Sequence, residues 1–336
     1  MSEEVDFGLP FNFKAYFTRG IIWGQRKVFS RMPDWMTDHK PIKPDFTGEA
    51  ANEYIKTLLR RPEPCLVARF GCGEFEASMR GFDKASKNNR LVKWLKILCG
   101  KSGPFWWDNS IRLGLVRQAG VFPTDDAIFD RFAARSLEDS RQYDLIATWN
   151  AREKQAKRLF FPQAKAFPIT DFDPFFYEHP WTAELKGKRV LVIHPFIDTI
   201  REQYPKRRKI FANPEMLPDF DLITYRSVTS FLGIKTPYKD WFEALEKQQE
   251  DIAKIDFDVA LLGCGAYGLS LGAFIKRDLK RKAVHMGGCS QLLFGIRGGR
   301  WDADPKFAAL ANSSWCRTLE HERPGNYKQH EGGAYW

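Results

Sequence analysis

The sequence predicts an α/β protein with a Rossmann-like, open and mostly parallel sheet that carries helices on both faces. Short apolar runs alternate along the chain with segments of helical periodicity, which is the order that such a sheet requires. The runs are apolar at nearly every position, as is typical of strands that are buried on both faces. They span 65–69, 144–148, 189–194, 258–262 and 282–286.

Two helical patterns lie between these runs. In 49–60 the apolar side chains fall on one face of a helix. A second helix is expected over 237–254, with Thr236 as its N-cap and Pro237 at its first position. Its apolar stripe consists of Trp241, Phe242, Leu245 and Ile252.

The chain of 336 residues suffices for one large α/β domain, which we assign to 46–310. An aromatic and basic extension, 1–45, precedes this domain. Its stretch 11–23 either lies at a membrane interface or packs on the domain, and packing is favoured because glycines interrupt any amphipathic helix there. The tail, 311–336, is expected to pack on the domain or to line a cleft.

The composition indicates a cytoplasmic protein. No run reaches the roughly eighteen apolar residues that a membrane span needs. The first ten residues, MSEEVDFGLP, lack the apolar core that is typical of a signal peptide. The six cysteines form no CxxC pair and are expected to be free thiols in a reducing compartment. Peripheral contact with the inner face of the membrane stays open.

A net charge of +10 suits an anionic partner, which is a nucleic acid, a phosphorylated small molecule or an anionic membrane surface. No zinc finger or ribonucleoprotein aromatic motif accompanies the basic residues. We therefore expect no nucleic acid and favour a small molecule that bears phosphate.

The stretch DVALLGCGAYGLSLGAFIKR joins a strand to a helix through Gly263, Gly265 and Gly268. This Gly-x-Gly-x-x-Gly pattern matches the dinucleotide fingerprint. A dinucleotide site also needs an acidic residue at the end of the next strand, and the run 282–286 ends without one. The pattern therefore favours backbone N–H groups that face a phosphate, with a tight turn and close helix–strand packing as the alternative.

Three further strands end in glycine or polar residues. ARFGCGEFE, 68–76, follows the first strand, 285–291 follows the last, and His194 ends the strand 189–194. Ligands of open α/β sheets bind outside the carboxyl ends of the strands. We expect these segments and 263–268 to encircle one anion pocket.

The segment 68–76 resembles the Arg-Phe-Gly-Asp-Gly-Glu motif of the GT-D-type glycosyltransferases of bacterial surface-polysaccharide biosynthesis. Longer passages are similar to a subgroup of these proteins, and together they cover about half the chain, from about residue 65 onward. They read LKGKRVLVIHPF, DFDVALLGCGAYGLSLGAFIKR, HMGGCSQLLFGIRGGRW and EGGAYW.

The resemblance implies a GT-D-like fold and a glycosyltransferase that moves a sugar from a nucleotide-sugar donor, with a UDP-sugar as first choice. The acceptor it implies is a glycan or a lipid-linked glycan. We expect Glu74, Arg69 and His194 to be catalytic. The residues expected to bind the donor are Gly71, Gly73, Gly263, Gly265, Tyr267, Gly268, His285, Gly287, Gly288 and Gln291.

The best-known members of the family hold Mn²⁺ or Mg²⁺ with an Asp-x-Glu pair. The matching positions here are Cys72 and Glu74. A thiol is a poor ligand for a hard cation, so Glu74 alone remains as a ligand and metal dependence is in question.

Sugar transfer leaves negative charge on a departing diphosphate, which a cation or helix N-termini must stabilise. Arg69, at a strand end, is the first candidate. Arg201, Lys206 and Arg207 are weaker ones, because a solvated face explains them equally well.

The acceptor hydroxyl also needs a general base. Glu74 is the first choice, followed by Glu76 and His194. His194 and His285 have the alternative of a purely structural role. Tyr267 and Trp149 are candidates for stacking on a base or sugar, with core packing as the alternative.

Asp-x-Asp, a metal signature of another glycosyltransferase class, occurs four times, so the pattern alone carries little weight. The pair Asp171 and Asp173 is the one worth testing, whereas Asp256 and Asp258 are expected to form a turn.

Two rival functions remain. One is an NAD(P)-dependent oxidoreductase or sugar-nucleotide-modifying enzyme that uses the same glycines. The other is a nucleotide-sugar-binding protein that has lost its chemistry along with the acidic residue at position 72.

Overall fold

The computed structural model describes residues 42–98, 102–329 and 332–336. The expected N-terminal extension therefore lies outside the described residues, apart from its last few positions. All five cysteines in the described ranges are free thiols.

Seven parallel strands form one open sheet, in the order β3-β2-β1-β7-β6-β4-β5. The strands are β1 (Leu66–Arg69), β2 (Leu145–Thr148), β3 (Lys165–Pro168), β4 (Arg189–His194), β5 (Asp221–Arg226), β6 (Val259–Leu262) and β7 (Lys282–His285). The predicted fold class and all five predicted strands are confirmed. The two strands that the prediction missed, β3 and β5, are the edge strands, whose half-exposed residues lack a continuous apolar run.

Twelve α-helices lie within the described residues, and none of them is both long and apolar enough to cross a membrane. They are α1 (Glu49–Arg60), α2 (Cys72–Ala85), α3 (Arg90–Leu98), α4 (Asn109–Gly114), α5 (Asp126–Ser140), α6 (Glu153–Phe160), α7 (Ile197–Gln203), α8 (Arg207–Ile210), α9 (Trp241–Ile252), α10 (Tyr267–Arg277), α11 (Gly299–Asp302) and α12 (Pro305–Ala308). A π-helical turn, Leu115–Ala119, continues α4, and a 3₁₀ segment, Gly287–Phe294, follows β7.

The predicted helix over 49–60 is confirmed as α1, but the predicted start of the second helix is wrong. Helix α9 begins at Trp241, and its N-cap is Asp240 and not Thr236. The Asp240 carboxylate accepts hydrogen bonds from the N–H groups of Phe242 and Glu243. An Asp side chain satisfies these otherwise unpaired amides well, so the cap forms there.

Helices cover both faces of the sheet because alternate strand residues point to opposite sides. In β1, Leu66 and Ala68 pack in one apolar cluster with residues of α2, α5, α9 and α10. Val67 packs in a second cluster with α1 and with C-terminal residues such as Trp315. The sheet is thus buried on both sides, and its carboxyl edge remains accessible to a ligand.

Candidate functional site

A cleft opens at the carboxyl edge of the sheet and contains about 1090 Å³ of empty space, including its mouth. Residues at the ends of four central strands, or just after them, line it: Arg69 and 71–74 at β1, 194–196 at β4, 263–265 and Tyr267 at β6, and Gly287, Gly288 and Gln291 at β7.

The structure brings most of the predicted site residues together in this cleft. Those that line it are Arg69, Gly71, Gly73, Glu74, His194, Gly263, Gly265, Tyr267, Gly287, Gly288 and Gln291. Gly268 and His285, which were expected to bind the donor, do not line it.

Gly268 and His285 pack against each other behind the cleft. A Cβ on Gly268 would stand 2.2 Å from His285 Nε2, so the glycine is needed for close packing of α10 on β7. The imidazole is only 5% exposed, and its Nδ1 has no hydrogen-bond partner. Burial lowers the pKa of His285 to about 3, which keeps the ring neutral. For the third glycine of the pattern, the packing interpretation is therefore the better one.

The turns after β6 and β7 present unpaired backbone amides to the cleft. Gly265 (φ +56°) and Gly287 (φ +68°) adopt left-handed conformations that shape these turns. The N–H groups of Cys264, Gly265, Gly287 and Gly288 make no hydrogen bond within the described part of the chain. Unpaired amides at a ligand cleft are an anion-binding feature.

A third set of amides comes from the N-terminus of α2. Gly71 is the N-cap and supplies no side chain to cap the helix. Glu74 folds back over it, since a Cβ on Gly71 would stand 2.1 Å from Glu74 Oε2. Among the residues lining the cleft, Glu74 carries the one side-chain carboxylate.

Arg69 ends β1, and its guanidinium lies in the cleft. It packs on Gly287, where a Cβ would stand 2.2 Å from Arg69 Nη2, and its Cζ lies 5.6 Å from the centroid of the Trp149 ring. Within the described ranges it forms no ion pair and donates no side-chain hydrogen bond, so its charge is available to a ligand.

The weaker cationic candidates lie outside the cleft and already have partners. Arg201 pairs with Asp198, and Arg207 pairs with Asp219. Lys206 donates to Gln203. Their positions agree with the alternative interpretation, in which these residues form a solvated face.

His194 is a buried neutral donor. Its Nδ1 accepts a hydrogen bond from the N–H of Phe196 at 3.0 Å, which places the ring proton on Nε2. Burial lowers the pKa of His194 to about 3, so the ring stays uncharged. Nε2 lies against Gly263, where a Cβ would stand 3.0 Å away. Because the Nδ1 lone pair already accepts this hydrogen bond, His194 is unsuited to be the general base, which was one of the roles expected for it.

Of the two candidate stacking residues, the structure leaves one available. The Tyr267 ring is buried and stacks on Trp241, with centroids 5.1 Å apart and planes 7° apart. Trp149 is 45% exposed and lines the cleft. Its indole N–H donates to the Phe70 carbonyl at 2.8 Å, which fixes the orientation of the ring.

Sequence reasoning missed the residue that holds Trp149 in place. The buried Glu153 carboxylate accepts hydrogen bonds from the N–H groups of Trp149 and Asn150 and from the Asn150 side chain. Burial raises the pKa of Glu153 to about 7. The Asn-x-x-Glu spacing, which resembles a capping box although the N-cap of α6 is Arg152, was the signal that could have found it.

The last two residues of the tail form one wall of the cleft. Tyr335 packs on Gly288, where a Cβ would stand 2.2 Å from Tyr335 Cε1. Gln291 is buried, and its Nε2 donates to the carbonyls of Ile296 and Tyr335 at 3.1 Å. Gln291 therefore holds the tail in place, and Trp336 lines the cleft beside it.

The residues at the expected metal position do not fit a hard divalent cation. Cys72 is an exposed thiol whose pKa is raised, first by partial burial and then by the Glu76 and Glu74 carboxylates. A protonated thiol does not bind Mg²⁺ or Mn²⁺, and Glu74 is left as a single ligand.

In each Asp-x-Asp pair, at least one aspartate already has a hydrogen-bond or ion-pair partner. Asp171 accepts the Gly48 N–H, Asp173 accepts a hydrogen bond from the Cys289 thiol, and neither aspartate lines the cleft. Asp256 and Asp258 pair with Arg189. The pairs at 219–221 and 302–304 likewise include an aspartate bound to arginines.

No family model, curated protein or solved structure matches this chain. Fold and cleft together define its class: an α/β protein of the Rossmann type with an amide-rich ligand cleft at the carboxyl edge of a parallel sheet.

Proposed function

We propose that the protein is a glycosyltransferase that moves a sugar from a nucleotide-sugar donor, with a UDP-sugar as first choice, to a glycan or lipid-linked acceptor of surface-polysaccharide biosynthesis. The observation that carries this proposal is the convergence of three sets of unpaired amides and the free Arg69 guanidinium on one cleft. Such a site matches a diphosphate, which carries negative charge along its length.

In this reaction the acceptor oxygen forms a bond to the anomeric carbon, and the bond from that carbon to the diphosphate breaks. The diphosphate leaves with the electron pair. Arg69 and the amides after β6 and β7 stabilise the charge that develops on it, and His194 adds a neutral Nε2–H donor. The amides belong to the backbone and His194 is oriented by its bond from Phe196, so these donors need little reorganisation during the reaction.

Glu74 is the proposed general base. It has the one side-chain carboxylate among the residues that line the cleft, and it lies at the first turn of α2 next to the amides. It takes the proton of the acceptor hydroxyl as the new bond forms. No step is assigned to a metal, because Cys72 and Glu74 do not form a suitable set of ligands.

The base or sugar of the donor has a stacking surface in Trp149. Its exposed ring is fixed by the hydrogen bond to Phe70 and lies beside Arg69. Stacking on a nucleobase contributes about 1–3 kcal/mol per base.

The geometry is less suited to the NAD(P)-dependent rival. The strand after the glycines, β7, ends in His285, followed by Met286 and Gly287, and no carboxylate stands there to bind the ribose hydroxyls. In addition, Gly268 is needed for packing against His285.

The test is a binding screen by thermal shift and calorimetry with UDP-sugars, GDP-sugars, free UDP, NAD⁺ and NADP⁺. We expect nucleotide-sugars and UDP to raise the melting temperature and the dinucleotides to leave it unchanged. Stabilisation by NAD(P) alone would refute the proposal. Binding of nucleotide-sugars with no transfer to any glycan acceptor would support the non-catalytic rival.

A further inference from the structure

We infer that helix α3 is a membrane-docking surface for anionic lipid. Exposed residues of this helix (Arg90, Leu91, Leu95 and Lys96) and of the loop before it (Lys87), which we call the α3 surface, combine apolar and basic side chains. Leu91 and Leu95 are 68% and 48% exposed, the highest values of any large apolar side chain in the described ranges. At i and i+4 they lie on the same face of the helix.

The opposite side of α3 is anchored to the protein. Ile97 is buried, and the Trp94 ring packs on Phe105 and Trp106 with centroids 5.9 and 5.3 Å apart. Lys93 Nζ donates to the Lys84 carbonyl at 2.7 Å. The two leucines therefore project outward from a helix that is held in place on its inner face.

The sequence around α3 is basic, although Lys84 pairs with Asp130 and Asp83 lies near Lys96. Residues 84–107 contain six lysines and arginines and no aspartate or glutamate. A short helix with exposed leucines and flanking basic residues is typical of segments that lie in the interface of an anionic membrane. Each basic residue near such a surface adds to the attraction.

The charge pattern favours lipid over a segment of the chain itself. The segment 1–41, which lies outside the described residues, contains six basic and five acidic residues, so it offers no excess of negative charge to this surface. An anionic bilayer supplies both the negative charge for the basic residues and an apolar layer for the leucines.

Gly103, which comes after α3 in the sequence, lies near the turn that carries Trp149. Gly103 lies against Arg152, where a Cβ would stand 3.6 Å from Nη1. Arg152 follows the turn that presents Trp149 to the cleft. Docking through α3 would suit a lipid-linked acceptor, but the inference does not rest on the proposed function, because lipid binding is measured without donor or acceptor.

The experiment is co-sedimentation of the full chain with vesicles of phosphatidylcholine alone or with about a third phosphatidylglycerol. We expect binding to the anionic vesicles, weakened by salt, and none to phosphatidylcholine. Lys87→Glu/Lys96→Glu and Leu91→Glu/Leu95→Glu should each weaken partitioning about tenfold or more.

Matched controls are Lys186→Glu/Lys254→Glu, which makes the same change of charge near the amino ends of β4 and β6, and Leu159→Glu on α6, where the leucine is 42% exposed. Both controls should retain binding. Failure of the unmodified protein to bind, or an equal loss in the controls, would overturn the inference. A lower melting temperature of Leu91→Glu/Leu95→Glu without vesicles would also overturn it, because the chain itself would then cover the face.

Discussion

Gly268→Ala tests whether the third glycine of the Gly-x-Gly-x-x-Gly pattern serves packing or phosphate binding. The new Cβ would stand 2.2 Å from His285 Nε2, 2.5 Å from Cδ2 and 2.7 Å from Cε1. All three distances are far below van der Waals contact. The imidazole is buried, so it has no solvent to swing into and the helix must shift instead.

The expected cost follows from these contacts. Overpacking of a core typically costs about 1–3 kcal/mol. Alanine gains up to about 1 kcal/mol over glycine in a helix, which offsets part of that cost. We expect Gly268→Ala to lower the free energy of unfolding by about 2 kcal/mol. Combined with His285→Ala, which removes the clashing ring, it should add little further loss, giving a coupling energy of about 1 kcal/mol or more.

The assay is urea unfolding in the absence of ligand, with Gly73→Ala as the matched control. Gly73 is the second residue of α2 as Gly268 is of α10, but a Cβ on Gly73 meets no atom within 4 Å. The control should change stability by no more than about 0.5 kcal/mol. Equal stability of the two variants, with donor binding weakened only in Gly268→Ala, would refute the packing argument and restore a phosphate role.

Four further predictions concern the cleft. Arg69→Met should weaken UDP-sugar binding by about 1.5–3 kcal/mol in calorimetry. Arg201→Met, which lies outside the cleft, should have no effect, and an equal loss of affinity in both variants would contradict the role of Arg69. Glu74→Gln should abolish sugar transfer and leave donor affinity nearly unchanged, so undiminished turnover would remove it as the base. EDTA should reduce transfer only slightly, and complete loss that Mn²⁺ restores would show that a metal binds after all. The pKa of His194 is about 3 in the folded protein and 6.5 in the unfolded chain. The stability that comes from burying its neutral ring is therefore fully present above pH 6.5, and the free energy of unfolding falls as the pH decreases from 6.5 toward 3. His194→Asn should make the decline below pH 6.5 shallower by about 1.4 kcal/mol per pH unit in urea unfolding, and an unchanged slope would contradict a buried neutral ring.

The central strands were predictable because burial on both faces makes their sequences continuously apolar. The edge strands were not, since β3 and β5 are partly exposed and β3 ends in Pro168. The start of α9 was misplaced for a local reason. Thr236 and Asp240 are both acceptable caps, and the sequence alone does not show which of them the turn before the helix presents to the free amides.

The location of the cleft was predictable from glycines at strand ends, because parallel strands bring their carboxyl ends to one edge. The separate roles of those glycines were not, because Gly263 and Gly268 differ only in what packs on them. The tautomer of His194 depends on the Phe196 N–H, a contact that composition does not reveal. The wall made by Tyr335 requires a contact with Gly288, which is distant in sequence.

The strand order has a consequence for how the protein assembles. Strands β1 to β3 pair among themselves, as do β4 to β6, and β7 is the strand that pairs with both groups, through β1 and β6. Strands β1 and β7 are far apart in sequence, and contacts between such distant residues form slowly during folding. Because the amides on the two sides of the cleft belong to different groups, we expect refolding chains to gain secondary structure before they gain any affinity for a diphosphate.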